Sequence, residues 1–352
     1  MPVLSTPITV GKARLSHRFA LAPMTRSRAQ ADGTPSELAA EYYAQRSALG
    51  LLITEGTQPS ADGQGYLNTP GIYTDEHIAG WRKVTDAIHA AGGTVFIQLM
   101  HAGRVAHPDN TAHHRLPVAP SAIAPVLEMT TPTGKSAPPV PRALSTDEVK
   151  ATVEDFRLAA AAAIRAGADG VEIHGANSYL IHQFLAAASN ERVDEYGGSI
   201  ENRARFAIEV ATAIAGEIGA DRIGFRISPF LPGMDESPEA ADLYRYLVAE
   251  LAKLDLAYLH VFHFTDEDLL RDIRSLWSGP LLVIRAGRTI DDLQIDLESG
   301  LADVVPIGKL ALANPDFLKR YTAGADMNEP DWATLFGGGA AGYTDYPTLA
   351  TV

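Results

Sequence analysis

The chain has no cysteine among its 352 residues. That excludes disulfides, thiolate-held zinc, cysteine-ligated iron–sulfur clusters and a cysteine nucleophile, and it fits a reducing compartment. Positive charge is scarce as well: 29 Lys and Arg against 43 Asp and Glu leave a formal charge of −14. No run of Lys or Arg stands out, so neither nucleic acid nor an anionic membrane surface is an expected partner. Long hydrophobic runs are missing too. The most apolar stretch, 158–164, is far too short to span a bilayer, and the opening MPVLSTPITVGKARLSHR lacks the apolar core of a signal peptide. A cytoplasmic location is expected by default.

What is present is a rhythm: a short β-branched run, a turn, then an alanine-rich amphipathic stretch. Candidate strands fall at 19–22, 51–54, 94–99, 170–174, 223–227, 257–261, 281–284 and 304–307. Helical patterns lie near 35–46, 75–91, 147–166, 200–218, 239–254, 266–277, 289–299 and 315–323. The strands are apolar throughout rather than alternating, as strands buried on both faces should be. Eight such units predict one domain over 1–352, an α/β fold of the (β/α)8 TIM-barrel class. An open doubly wound sheet is the rival, but no G-x-G-x-x-G follows the first strand. Ser145-Thr-Asp-Glu148 reads as a capping box, and Gly92, Gly93 and Gly167 fall where helices should stop. The first 18 residues suggest an N-terminal hairpin closing the far end of the barrel. The stretch after strand 3, 100–145, is rich in Pro, Ala and Ser without helical period, and is expected to cap the C-terminal face, where barrel active sites sit.

The strand ends carry polar donors: Thr25 after strand 1, Gln98 on strand 3, His174 and Asn177 at strand 4, and Arg226 on strand 5. They carry no carboxylate cluster, which argues against a magnesium-dependent lyase or a two-carboxylate glycosidase. Donors suit a carbonyl-rich ligand such as a flavin ring. The glycines after strands 7 and 8 allow close approach of a phosphate, with Lys309 beside it. His174 and Asn177, three apart, are expected to share one side of a helical turn and form an oxyanion-type pair. Tyr179, with an ordinary pKa near 10, stays protonated and can act as an acid. Arg226 has a plainer alternative as a partner of Glu172, and His260 and His263 one as structural histidines. Glu191, Arg192 and Asp194 suggest a structural polar loop. His113-His114 sit on an irregular stretch without a suitably spaced acid, so no metal site is expected.

The segment HGANSYLIHQFLAAASNERVDEYGGSIENRARF (174–206) resembles the signature of the Old Yellow Enzyme family of FMN-dependent ene-reductases. APMTRSRA (22–29), QLMHAGR (98–104), LPVAPSAI (116–123) and GGGAAGYTDYP (337–347) are similar to family motifs in the same order. The resemblance implies tightly bound, non-covalent FMN, reduced by NADPH or NADH, and a small activated alkene as substrate. It implies Thr25 on the flavin O4, Pro23, Met24 and Gly56 against the ring, Gln98 on its pyrimidine edge and Arg226 at its N1/O2 edge. Gly287, Gly308 and Lys309 would hold the phosphate. His174 and Asn177 would bind the substrate oxygen, hydride would reach the β-carbon, and Tyr179 would protonate the α-carbon. Tyr66 would line the substrate pocket.

Three positions depart from the family pattern. Lys309 stands where arginine is usual and loses its bidentate fork, with Arg288 expected to compensate. Met100 replaces a common aromatic and Phe336 a common tyrosine, both flanking the substrate, so the pocket is expected to be roomier or more apolar. The functional expectation is a ping-pong ene-reductase. The alternatives are a flavoprotein without an alkene substrate and a phosphate-sugar isomerase or aldolase. The last needs a lysine or carboxylate base, and Lys309, the only lysine at a strand end, sits in the phosphate position. Monomer and homodimer are both compatible with the sequence.

Overall fold

All eight apolar runs lie in one parallel sheet of the computed structural model, which describes residues 3–233 and 236–349. The strands are β1 (Phe19–Leu21), β2 (Leu51–Ile53), β3 (Thr94–Leu99), β4 (Gly170–Gly175), β5 (Ile223–Ile227), β6 (Tyr258–His263), β7 (Leu281–Arg285) and β8 (Val305–Ile307). Each pairs with its chain neighbour from β1 to β7, and β8 returns to pair with β1. A parallel bridge between Leu282 and Val304, with the Val283 amide donating to the Val304 carbonyl at 3.2 Å, joins β7 to β8 and closes the barrel.

The surrounding helices are α1 (Glu37–Ala44), α2 (Asp75–Ala90), α3 (Thr146–Arg165), α4 (Leu180–Leu185), α5 (Ile200–Ile218), α6 (Ala240–Ala252), α7 (Glu267–Leu276), α8 (Ile290–Glu298), α9 (Lys309–Ala313) and α10 (Phe317–Ala323). Local chemistry sets their limits. Ser145 and Glu148 form the expected capping box on α3, typically worth about 1 kcal/mol. Gly167, at φ 93°, turns the chain out of α3 where a Cβ would meet the Thr85 hydroxyl at 2.8 Å. Two helices differ from the expectation. The short α9 is not expected from the sequence ahead of the predicted final helix, which is present as α10; Pro315 separates the two, and the Asn314 side-chain amide donates to the Leu310 and Asn328 carbonyls. The short α4 replaces what reads in sequence as irregular connection.

The barrel's outward side chains and the inner faces of the helices make the larger apolar core. A second core fills the barrel floor, where Ala20, Leu51, Phe96, Tyr258, Leu282 and Val304 meet Val10 and Leu15 from the N-terminal hairpin (Ile8–Val10 with Ala13–Leu15). Val10 and Leu15 are buried, and each such side chain contributes roughly 1.5–3 kcal/mol. The expected plug at that end is therefore present. The long connection after β3 folds into two small pairings, Val118–Ala119 with Arg142–Ala143 and the hairpin Met129–Thr131 with Gly134–Ser136. Arg192 ties it down by donating to the Pro120 and Leu144 carbonyls while paired with Asp194. No helix among the described residues is long and apolar enough to cross a membrane.

Candidate active site

Alternation along β4 sends Glu172 and His174 into the barrel, and the register sets their neighbours. Glu172 lies beside Gln98, His174 beside Arg226, and Arg226 beside His260. Glu172 is fully buried and satisfied: it accepts from the Gln98 amide nitrogen at 2.7 Å, the Tyr258 hydroxyl at 3.0 Å and His260 Nδ1 at 2.8 Å. The alternative pairing of Glu172 with Arg226 is not a contact ion pair, although the two charges favour each other. With its nitrogen committed below, Gln98 keeps its amide oxygen as an acceptor.

Above this polar floor opens a cavity of about 470 Å³ lined by Pro23, Met24, Thr25, Gly56, Gln98, Met100, His174, Asn177, Tyr179, Arg226, Lys309 and Phe336. Sequence reasoning missed Arg26, Phe262, Leu312 and Leu335 on the same walls. Phe262 was findable, since Tyr258, His260 and Phe262 alternate inward on β6 once that strand is carried past residue 261. Leu335 sits in an aperiodic tail with no local signal. A second cavity of about 460 Å³ shares Thr25, Tyr179 and Phe336 and adds Tyr66, Glu128, Met129 and Thr130. The excursion after β3 thus supplies an outer wall.

Arg226 is nine-tenths buried, its Nε has no partner, and no carboxylate lies within ion-pair distance of it among the described residues. Glu172's charge and the Phe262 ring, its centre 5.6 Å away, offset only part of the cost of burying this guanidinium, which marks a place for an electron-rich ligand edge. Gly56 lets Met100 pack close, because a Cβ there would meet Met100 Sδ at 2.4 Å and force that side chain to move. Met100 is itself buried against it rather than lining the outer cavity.

His174 and Asn177 are not on a helical turn. His174 ends in the strand, and Asn177 and Ser178 both take left-handed backbone conformations at φ 56° and 65°. Such a conformation costs roughly 1–2 kcal/mol at serine and less at asparagine, whose short polar side chain tolerates it. Asn177 donates its backbone N–H to Ser228 Oγ at 2.9 Å, while its side-chain Oδ1 is buried without a partner. The Ala176 amide donates to His174 Nδ1 at 3.3 Å. Burial, reinforced by Arg226, His260 and His182, holds the imidazole far below its usual pKa. The ring is neutral with its proton on Nε2. Tyr179 caps α4, and its hydroxyl lies 3.0 Å from that of Tyr66. Burial, with Tyr66 next, raises its pKa far above 10.

The phosphate candidates surround the cavity less tightly. Lys309 is exposed and its ammonium lies 4.5 Å from the centre of the Trp332 ring. Gly308 is half-buried and Gly287 exposed. Arg288 is exposed and lies 3.8 Å from Glu267. Of these four, Lys309 lines the 470 Å³ cavity and Gly287, Arg288 and Gly308 do not. The loop after β1 is pinned from two sides: the Arg26 amide donates to Glu55 at 2.9 Å, and Arg28 donates to carbonyls of Arg26, Thr334, Gly339 and Ala341. That staple brings Phe336 over the site.

The chain matches the model of the NADH:flavin oxidoreductase / NADH oxidase family over residues 3–328. It is 43% identical to a probable flavin mononucleotide-dependent alkene reductase of Leishmania infantum, covering 99% of this chain and 98% of that one. Morphinone reductase, solved in complex with tetrahydroNAD, superposes with a TM-score of 0.94 at 42% identity, covering 99% of this chain and 98% of that one. An old yellow enzyme homologue from Zymomonas mobilis gives 0.95 at 36% identity, covering 99% and 100%.

Proposed function

The chain belongs to the NADH:flavin oxidoreductase / NADH oxidase family and is an FMN-dependent alkene reductase, and from that premise we propose how its residues divide the work. The carrying observation is that a buried Arg226 without a contact ion pair, a neutral His174, the Asn177 side chain and a protonated Tyr179 converge on one cavity.

The donor set fits FMN. Arg226 would meet the electron-rich N1/O2 edge, Thr25 the O4 side and the Gln98 oxygen the pyrimidine N–H, and Pro23, Met24 and Gly56 would line the ring. Gly287, Gly308, Lys309 and Arg288 are assigned to the phosphate. When bound, FMN supplies the redox chemistry, taking hydride from reduced nicotinamide and passing it to the β-carbon of an activated alkene. His174 Nε2–H and the Asn177 amide N–H donate to the carbonyl or nitro oxygen of that alkene, drawing electron density from the double bond. Because the His174 ring is held by the Ala176 amide and the Asn177 backbone by Ser228 before substrate arrives, little reorganisation is needed as charge develops. Tyr179 donates its phenolic proton to the α-carbon, and Tyr66 holds that hydroxyl and bridges it to the outer cavity. Met100 and Phe336 shape the walls around the substrate. Enones, maleimides and nitroalkenes share the required electron-poor C=C bond.

The purified protein should be yellow, bleach with NADPH or NADH under nitrogen and recover colour on adding 2-cyclohexenone. Bleaching without recovery would remove the alkene from the scheme.

A further inference from the structure

The strained turn carrying Asn177 and Tyr179 is gripped from behind by groups that touch neither cavity. Gln183 Nε2 donates to the Ser178 carbonyl at 2.6 Å, and the Ser178 amide donates to His182 Nδ1 at 3.2 Å. Adjacent side chains on α4 thus hold both ends of one residue. His182 Nδ1 accepts, so its proton is on Nε2, and Nε2 meets Glu236 Oε1 at 2.7 Å. Glu236 also accepts from the Tyr244 hydroxyl at 2.7 Å and the Phe230 amide at 2.6 Å. The His182 side chain is fully buried and that of Glu236 is 4% exposed.

We propose that His182 and Glu236 are positioning residues for alkene reduction: the carboxylate orients the imidazole, the imidazole fixes the Ser178 peptide, and that peptide aims Asn177 and Tyr179. The proposal rests on the assignment of Asn177 and Tyr179 made above. Left-handed backbone at Ser178, next to the left-handed Asn177, costs about as much as one neutral hydrogen bond returns. Without the imidazole acceptor the turn has a reason to relax, and relaxation rotates the oxygen-binding amide away from the phenol. The carboxylate comes from the connection after β5, the strand that supplies Arg226 and leads into Ser228. The β4 turn and the β5 exit are therefore locked together twice, through Ser228 and through Glu236.

The test separates the two half-reactions in FMN-loaded protein. Asparagine can place an oxygen near the position of His Nδ1, whereas leucine cannot accept at all. His182→Leu should slow reoxidation by 2-cyclohexenone about 10-fold and raise its KM, the loss expected for about one hydrogen bond's worth of positioning. FMN content and reduction by nicotinamide should match wild type. His182→Asn should recover reoxidation to within about 3-fold. Should His182→Leu not accumulate folded, Glu236→Gln carries the same expectation of a selective reoxidation defect. Unchanged reoxidation in His182→Leu, or an equal fall in both half-reactions in whichever variant is read, would overturn the proposal. A wild-type protein that ignores the enone would instead overturn the assigned function.

Discussion

The Tyr66 and Tyr179 hydroxyls lie 3.0 Å apart, with their rings edge to face at 90°. Tyr179 lines both cavities, while Tyr66 lines only the outer one. Removing the acid should therefore hurt more than removing its companion. Tyr179→Phe should slow reoxidation by an enone roughly 10²–10⁴-fold, the range for a positioned general acid. Reduction by nicotinamide should stay within about 3-fold of wild type. Tyr66→Phe should cost only about 5-fold, one neutral hydrogen bond. Rapid-mixing absorbance of the flavin reads both steps, and equal loss in the two steps would refute the proton-donor role.

Arg226 makes a prediction that changes sign with the cofactor. Its guanidinium is buried without an ion-pair partner, so the FMN-free protein bears a cost that FMN relieves. Arg226→Met should weaken FMN binding about 10- to 100-fold, the loss of a charge-assisted contact. The FMN-free variant should unfold at a temperature no lower than FMN-free wild type. Calorimetry on both forms checks this, and a destabilised FMN-free variant would contradict it.

Glu55 should make stability depend on pH. Burial, opposed chiefly by the Arg26 amide, raises its pKa from 4.5 to about 7. A raised folded pKa gives stability that is complete below about pH 4.5 and lost as pH rises through about 7. The size is roughly 3 kcal/mol. Wild type should thus lose melting temperature between about pH 5 and pH 8. Glu55→Gln, which still accepts from the Arg26 amide, should be flatter over that window and the more stable protein at the upper end. Parallel curves would show that another group dominates.

At the phosphate, Lys309 should matter more than Arg288. Lys309 starts α9 beside the cavity, while Arg288 is exposed and turned to Glu267. Lys309→Ala should weaken FMN binding about 10-fold, one charged contact, and Lys309→Arg should preserve it. Arg288→Ala should cost under about 3-fold. Equilibrium dialysis of FMN decides, and a larger loss at Arg288 would restore it to the compensating role expected from the sequence.

Most of the barrel is legible in the sequence because its constraints are local. A strand covered on both faces must be a short apolar run, and the capping residues of α3 and the glycine at 167 act within a few positions. The floor plug and the donors on β3, β4 and β5 follow from strand phase. What is hidden depends on distance. Nothing near residue 129 shows that the Met129–Thr131 hairpin walls the outer cavity, since that requires the whole excursion to fold back. Spacing misleads at Asn177: three residues from His174 suggests a helical turn, yet the backbone there is left-handed and is set by Ser228 and His182, 51 and 5 residues away in chain order. The Glu172–Arg226 alternative gives no contact pair because three other donors, from β3 and β6, reach that carboxylate.

The hairpin that fills the barrel floor has a kinetic corollary. With Val10 and Leu15 corking one end, the cavities open on the opposite face of the barrel, where Tyr66 and Phe336 stand. Electron donor and electron acceptor cannot queue on opposite sides, so each must vacate before the other enters. Excess of either one should block traffic for the other, and raising both in proportion should relieve that block.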